Sequence, residues 1–120
     1  MKVAIVGSRS LNTDNISKYL PDNISYIISG GAVGIDTAAR KFALNNNIPI
    51  IEYLPEYDKY GRSAPIKRNV LIVEHSDLVI AFWDGKSRGT RFVIDYCRKH
   101  NHKILIYLHQ NNDQYCLYNP

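Results

Sequence analysis

At 120 residues, 45% of them hydrophobic and 22% charged, the chain is sized for one domain with a real core, and this composition excludes disordered and fibrous classes. No apolar run approaches the roughly 20 residues that cross a bilayer, and the start leads straight into the strand-like KVAIV, so a cytoplasmic protein without membrane contact is expected. Two cysteines, Cys97 and Cys116, make no disulfide framework, and a net charge of +4 permits an anionic partner without naming one.

In chain order, strands are predicted over residues 3–6, 26–28, 48–53, 78–82 and 104–108, each rich in Ile, Val or aromatics without strict alternation. Such runs suit strands buried on both faces. Helices are predicted over 14–20, 35–45, 65–75 and 90–100. In the second, Ile35, Ala38, Ala39, Phe42 and Ala43 form one apolar stripe; in the third, Ser63 is the expected N-cap, Pro65 sits in the first turn and Ile66, Val70 and Val73 are the expected inward face. The alternation of strand and helix predicts a doubly wound, five-stranded parallel α/β sheet of the Rossmann-like kind in one domain, with residues 111–120 either an edge strand or a loose tail.

In such a sheet the strand ends and the following helix N-termini share one edge, and three glycine-bearing loops fall there: Gly7 to Ser10, Ser29 to Gly34 and Trp83 to Thr90. Glycine lets backbone N–H groups approach an anion, so phosphate is the expected occupant. SGGAVG is the dinucleotide fingerprint with Ser29 at the first glycine, and Glu52 lies about 20 residues on, where a ribose-binding acid is expected. The candidate ligand-binding residues are Gly7, Ser8, Arg9, Ser29, Gly30, Gly31, Gly34, Asp36, Arg68, Asn69, Asp84, Gly85, Ser87, Gly89 and Thr90. Arg9 and Arg68 are the favoured phosphate partners among the basic residues of this edge. Asp36 either complements the helix dipole or joins the site, and Asp84 either does the same or orients a ribose or metal-bound water. The long connection PEYDKYGRS has the length of a lid, and Tyr57, Tyr60 or Trp83 either stack on a base or pack on the domain itself.

Cys97, His100 and His102 lack a second ligand pair at zinc spacing, so no metal is expected, and no GxSxG, HExxH, Walker A or CxxC motif is present.

The motifs VGSRS, ISGGAVGIDTAARKFA, YDKYGRSAPIKRN and SDLVIAFWDGKSRGT, in this order over residues 1–106, resemble the SLOG superfamily, which contains the DprA/Smf DNA-processing proteins and the LOG phosphoribohydrolases. The nearest resemblance is to its small standalone YspA- and YpsA-like branch. It implies a five-stranded parallel sheet, a nucleotide-derived ligand at the strand ends, no required cofactor, and a fold compatible with a homodimer. In the LOG enzymes an arginine and the glutamate of PGGxGTxxE are associated with cleavage of a nucleoside monophosphate. Here Arg68 falls at the arginine position and Gly89 and Thr90 match the GT, while Val93 stands at the glutamate position and DGKS replaces PGG. Asp95, two residues beyond Val93, points about 200° away along a helix. The expectation is therefore a binder or sensor of a nucleotide-derived small molecule, ADP-ribose or NAD-related. Phosphoribohydrolase activity is the alternative, with Arg68, Asp84 and Glu52 as its candidates. Single-stranded nucleic-acid binding, weak and salt-sensitive, is the third.

Overall fold

The computed structural model describes all residues except Asn12, Asp14, Asn112, Asp113, Asn119 and Pro120. Six strands, β1 (Lys2–Gly7), β2 (Tyr26–Ser29), β3 (Ile50–Glu52), β4 (Leu78–Trp83), β5 (Ile104–His109) and β6 (Tyr115–Leu117), form one sheet in the order β3-β2-β1-β4-β5-β6. All pairings are parallel except β5 with β6, which is antiparallel and sets His109 opposite Tyr115. The expected five-stranded sheet is thus a six-stranded, mostly parallel one, and the tail supplies the edge strand. Tyr115, 8% exposed, anchors that strand by reaching Tyr19 and Phe82.

The absence of alternation in the strands has a direct cause. Along β1, Val3 and Ile5 enter one layer while Ala4 and Val6 enter the other; along β4, Ile80 and Phe82 face the first and Val79, Ala81 and Trp83 the second. Helix α1 (Ile35–Asn45) closes the first layer with Ile35, Ala38, Ala39 and Ala43. Helices α3 (Ala64–Glu74) and α4 (Arg88–Lys99), with the four-residue α2 (Tyr57–Tyr60) before them, complete the rest, Ile72, Val73, Val93, Ile94 and Cys97 filling the second layer. Each fully buried Ile, Val or Phe here contributes about 1.5–3 kcal/mol.

Three predicted elements differ. The first helix is reduced to a 3-10 turn, Ser17–Tyr19; Asp14, its expected start, lies outside the described residues. Asn15 Oδ1 accepts from Ser17 N (3.2 Å) and Ser17 Oγ (2.6 Å), a side-chain alternative to helical bonding, and Leu20, before Pro21, is extended (φ −106°, ψ 148°). The third strand keeps only Ile50–Glu52. In α3, Ile66 is 47% exposed and Ile72 takes the inward place, because the helix turns Arg68, Asn69 and Ile72 toward the strand ends. Ser63 occupies the N-cap position but its hydroxyl donates to the Tyr60 carbonyl (2.8 Å) instead of capping the helix.

The chain runs from β1 outward through β2 to β3 and then returns past β1 to β4 and β5. The sheet order therefore reverses between β1 and β4, and the crevice beyond their C-terminal ends is where open α/β sheets take their ligands. Among the described residues, no helix is long and apolar enough to cross a membrane.

Candidate functional site

A cleft of about 460 Å³ opens at that reversal point. Its walls come from the β1 loop, the β2 loop, α3 and the start of α4. Of the sequence-predicted residues it gathers Gly7, Ser8, Arg9, Gly30, Asp36, Arg68, Asn69, Asp84, Ser87, Gly89 and Thr90. Ser29, Gly31, Gly34, Gly85 and Glu52 do not line it.

The β1 and β4 loops are tied together at the cleft floor. Buried Ser8 donates its backbone N–H to the Phe82 carbonyl (3.1 Å), its hydroxyl meets Ser87 Oγ at 2.7 Å, and the Asp84 N–H donates to that same hydroxyl at 3.1 Å. Asp84 clips its own loop: Oδ1 accepts from the Lys86 and Ser87 N–H groups at 2.8 Å each, and Oδ2 accepts from Ser10 Oγ at 3.0 Å. Partial burial works against its ionisation, but the Ser87 and Lys86 N–H groups and the Ser10 and Ser8 hydroxyls outweigh it and hold the carboxyl at about 2. Its lone pairs are engaged in shaping the loop. Trp83 is 8% exposed and donates Nε1–H to the Ser87 carbonyl (3.1 Å), so it packs in the core and offers no stacking platform.

The polar centre of the cleft is Arg68. Its Nη1 donates to the Gly30 carbonyl (2.9 Å) and the Tyr53 carbonyl (3.3 Å), and its Nε donates to Asn69 Oδ1 (2.9 Å). A Cβ built on Gly30 would lie 2.5 Å from Nη1, so the guanidinium lies directly over a position only glycine leaves open. Burial lowers its pKa from the ordinary arginine value, nearby Asp36 opposes that, and Arg9 adds to the lowering by like-charge repulsion. It stays protonated at any working pH. Asp36, 8% exposed in the first turn of α1, accepts the Ala32 N–H at 3.1 Å. Burial raises its pKa, against the pull of the Ala32 N–H, Arg68 and Ser29. Two guanidiniums thus share the cleft with two carboxylates, the reluctantly ionised Asp36 and the ionised Asp84 that its own loop engages, and an entering anion would relieve the repulsion between the two cations.

Ser10, Ala32, Pro65, Val6 and Ile72 also line the cleft without having been expected there. Ser10 and Ala32 lie within the predicted β1 and β2 loops and were legible as neighbours; Val6, Pro65 and Ile72 were not, since they read as core or as helix start. Glu52, expected at a ribose, accepts from Arg40 Nη2 at 2.7 Å and Nε at 3.0 Å, both at its oxygen Oε2. This charge-assisted pair with α1, rather than the cleft, is where the structure places Glu52. Val93 does line the cleft, and Asp95 faces out, ion-paired to Arg91 at 3.8 Å with both side chains more than 60% exposed.

The glycines divide by cause. A Cβ on Gly7 would meet the buried Ile35 side chain at 2.5 Å, so Gly7 serves packing, while Gly31 sits at φ +68° and serves the turn, the nearest atom to its Cβ position being the movable end of exposed Leu54. Gly89 has nothing within 4 Å of its Cβ position and no positive φ. Gly89→Ala is therefore expected to stabilise the fold by about 0.5–1 kcal/mol, through helix propensity alone, in a urea titration. Unchanged or lower stability would mean that Gly89 has a structural task of its own.

Among the described residues no group of three or more His, Cys, Asp or Glu side chains could hold a metal ion. His102 Nε2 instead contacts Ser76 Oγ at 3.1 Å, and burial pushes the Cys97 thiol up to about 12. Compared with known proteins, no curated relative and no solved structure matches the chain. Residues 1–57 match the family model described as DNA recombination-mediator protein A. The matched part contains β1, β2, α1, β3 and the first two glycine loops, and ends before Arg68 and α4. The match covers just under half of the chain, so it is a similarity to that family over the N-terminal part, in keeping with the mostly parallel Rossmann-like sheet and without singling out the small standalone branch.

Proposed function

We propose that the cleft binds a phosphate-bearing nucleotide or nucleotide-derived small molecule, of the ADP-ribose or NAD-related kind. The observation that carries this reading is the pairing of Arg68 and Arg9 at the reversal point of the sheet, beside the start of α4 and over an apolar floor of Val6, Ile72 and Val93. The helix N-terminus adds partial positive charge, and the floor accepts a ribose or base. Hydrolysis of an N-glycosidic bond has weaker support. Stabilising an oxocarbenium-like ribose calls for a carboxylate at the sugar, whereas Val93 is apolar, Asp84 is engaged by its own loop and Glu52 by Arg40.

Thermal unfolding with AMP, ADP, ADP-ribose and NAD tests the reading. A ligand that binds only the folded state stabilises it by RT ln(1 + [L]/Kd), so at least one of the four is expected to raise Tm by several degrees at millimolar concentration. No shift with any of them overturns it.

A second reading, single-stranded nucleic acid running from the cleft edge along the outer face of α4, is favoured by the family match and by the distribution of charge. Residues 86–103 hold six of the fifteen cations and one of the eleven acids, a surplus of five, while the remaining positions hold nine cations and ten acids. Arg88, Arg91, Arg98 and Lys99 are all exposed on α4. Affinity for an oligonucleotide that falls steeply with salt, and competes with AMP, would bring this reading forward.

A further inference from the structure

On the other side of α3 lies a second groove, of about 430 Å³, bounded by the end of β3, the segment carrying α2, and α3 itself. Tyr53, Leu54, Tyr60 and Leu71 supply its apolar and aromatic surface, with Glu56 and Lys67 among its polar groups. Leu54 is 63% exposed and Leu71 40%, so apolar surface stands open here. Lys59 and Lys67 lie over the Tyr60 ring, 5.1 and 5.9 Å from its centroid, which orders that side chain.

Arg68 is the one described residue that lines both the cleft and this groove. Its Nη1 bridges them, bonded to Gly30 on the cleft side and Tyr53 on the groove side. The two compartments are of similar size, each enough for one nucleoside-sized group, and the positive charge sits between them. The groove carries no surplus of positive charge for a phosphate of its own, since Glu52 and Glu56 line it together with Lys67 and the shared Arg68. It is suited to an uncharged heteroaromatic ring that presses on Tyr60 and Leu71 and presents N–H donors to a carboxylate.

We propose that this groove is a second ligand subsite: it holds the far nucleobase of a two-ended nucleotide whose phosphate linkage lies across Arg68 and whose near nucleoside fills the cleft. The proposal rests on the nucleotide reading of the cleft and adds to it a preference for two-ended over one-ended ligands.

Calorimetric titration of the full chain with AMP and with diadenosine diphosphate, two adenosines joined by a pyrophosphate, tests it. Stacking and burial of the second base should make the two-ended ligand at least tenfold tighter than AMP. Tyr60→Ala should erase that difference while leaving the AMP Kd within twofold, and Leu71→Asn, a separate change on α3, should do the same if Tyr60→Ala fails to fold by circular dichroism. Replacing adenine by unsubstituted purine, which when N9-linked has no N–H donor, should weaken the two-ended ligand several-fold more than the same change weakens the monophosphate. If AMP binds and diadenosine diphosphate binds no tighter, the subsite is refuted while the cleft reading stands. Equal weakening of both ligands by Tyr60→Ala also refutes it, because the groove would then be part of the AMP site. If neither ligand binds, both readings fall.

Discussion

Gly34→Ala is expected to cost the fold about 3–5 kcal/mol, a large share of the roughly 5–15 kcal/mol that holds a domain together. Gly34 sits at φ 74°, ψ −124°, a region that residues with a Cβ scarcely enter. A Cβ there would also lie 2.6 Å from the Arg9 carbonyl oxygen and 2.8 Å from that of Ser8, and neither is the movable end of a side chain. Its own carbonyl accepts the first helical bonds of α1, from Thr37 (3.0 Å) and Ala38 (3.2 Å), so shifting it to relieve the clash unwinds the helix start. Gly61→Ala is the internal control: φ is +56° but nothing lies within 4 Å of its Cβ position, and only the roughly 1 kcal/mol of left-handed strain applies. Urea midpoints followed by circular dichroism measure both. A Gly34→Ala loss no larger than that of Gly61→Ala would mean that the β1 loop is free to move away from α1.

The strands were legible because burial on both faces leaves an unbroken apolar run, and LVIAFW in β4 could hardly be anything else. The stripe of α1 was legible for the complementary reason, one face being buried and the other not. The first predicted helix failed where a local competitor, the Asn15 side chain, and the constraint of Pro21 outweighed a weak pattern. The rotation of α3 failed more instructively. Its apolar residues allow several inward faces, and the one adopted exposes Ile66 and turns Arg68, Asn69 and Ile72 to the cleft. No periodicity within eleven residues could choose between them.

At the site, topology made the convergence of the β1, β2 and β4 loops legible, since a parallel sheet sends every strand end to one edge. The partition of the glycines was not. Gly31 and Gly34 read as phosphate-binding positions in SGGAVG, yet Gly31 serves the turn, the Cβ position of Gly34 is blocked by the β1 loop, and neither lines the cleft. Glu52 stood at the right spacing for a ribose, and α1 happens to carry Arg40 where it reaches that carboxylate. Spacing along the chain carries no information about which neighbour arrives first across space. The same holds for Arg68 and Gly30, 38 positions apart, whose contact defines the centre of the cleft.

That contact leads to the largest expected effect on binding. Gly30→Ala meets no local backbone strain, because its φ lies outside the left-handed region; what it meets is Arg68, with Nη1 at 2.5 Å and Cζ at 3.0 Å from the new methyl. The guanidinium must leave, giving up its bond to the Gly30 carbonyl. On the nucleotide reading, Gly30→Ala should weaken ligand binding about as much as Arg68→Ala does, by roughly 1.5–3 kcal/mol or about 10- to 150-fold, the range for hydrogen bonds to a charged group. The double variant should be little worse than either single one, since both changes remove the same interaction. Arg68→Ala carries a further mark in stability. It strips Asp36 of the cation that favours its ionised form, leaving burial as the dominant influence on a carboxyl whose pKa is already raised above 3.8. A carboxyl whose folded pKa exceeds its unfolded one costs the fold when ionised, and that cost disappears as pH falls through the folded value. The stability deficit of Arg68→Ala should therefore shrink as pH is lowered from neutral toward 4, in urea titrations across that range, and Asp36→Asn on the same background should remove the pH dependence. Additive losses of affinity in Gly30→Ala and Arg68→Ala would instead assign Gly30 a ligand contact of its own, and a deficit that grows toward pH 4 would show that Asp36 needs its charge to hold the β2 loop.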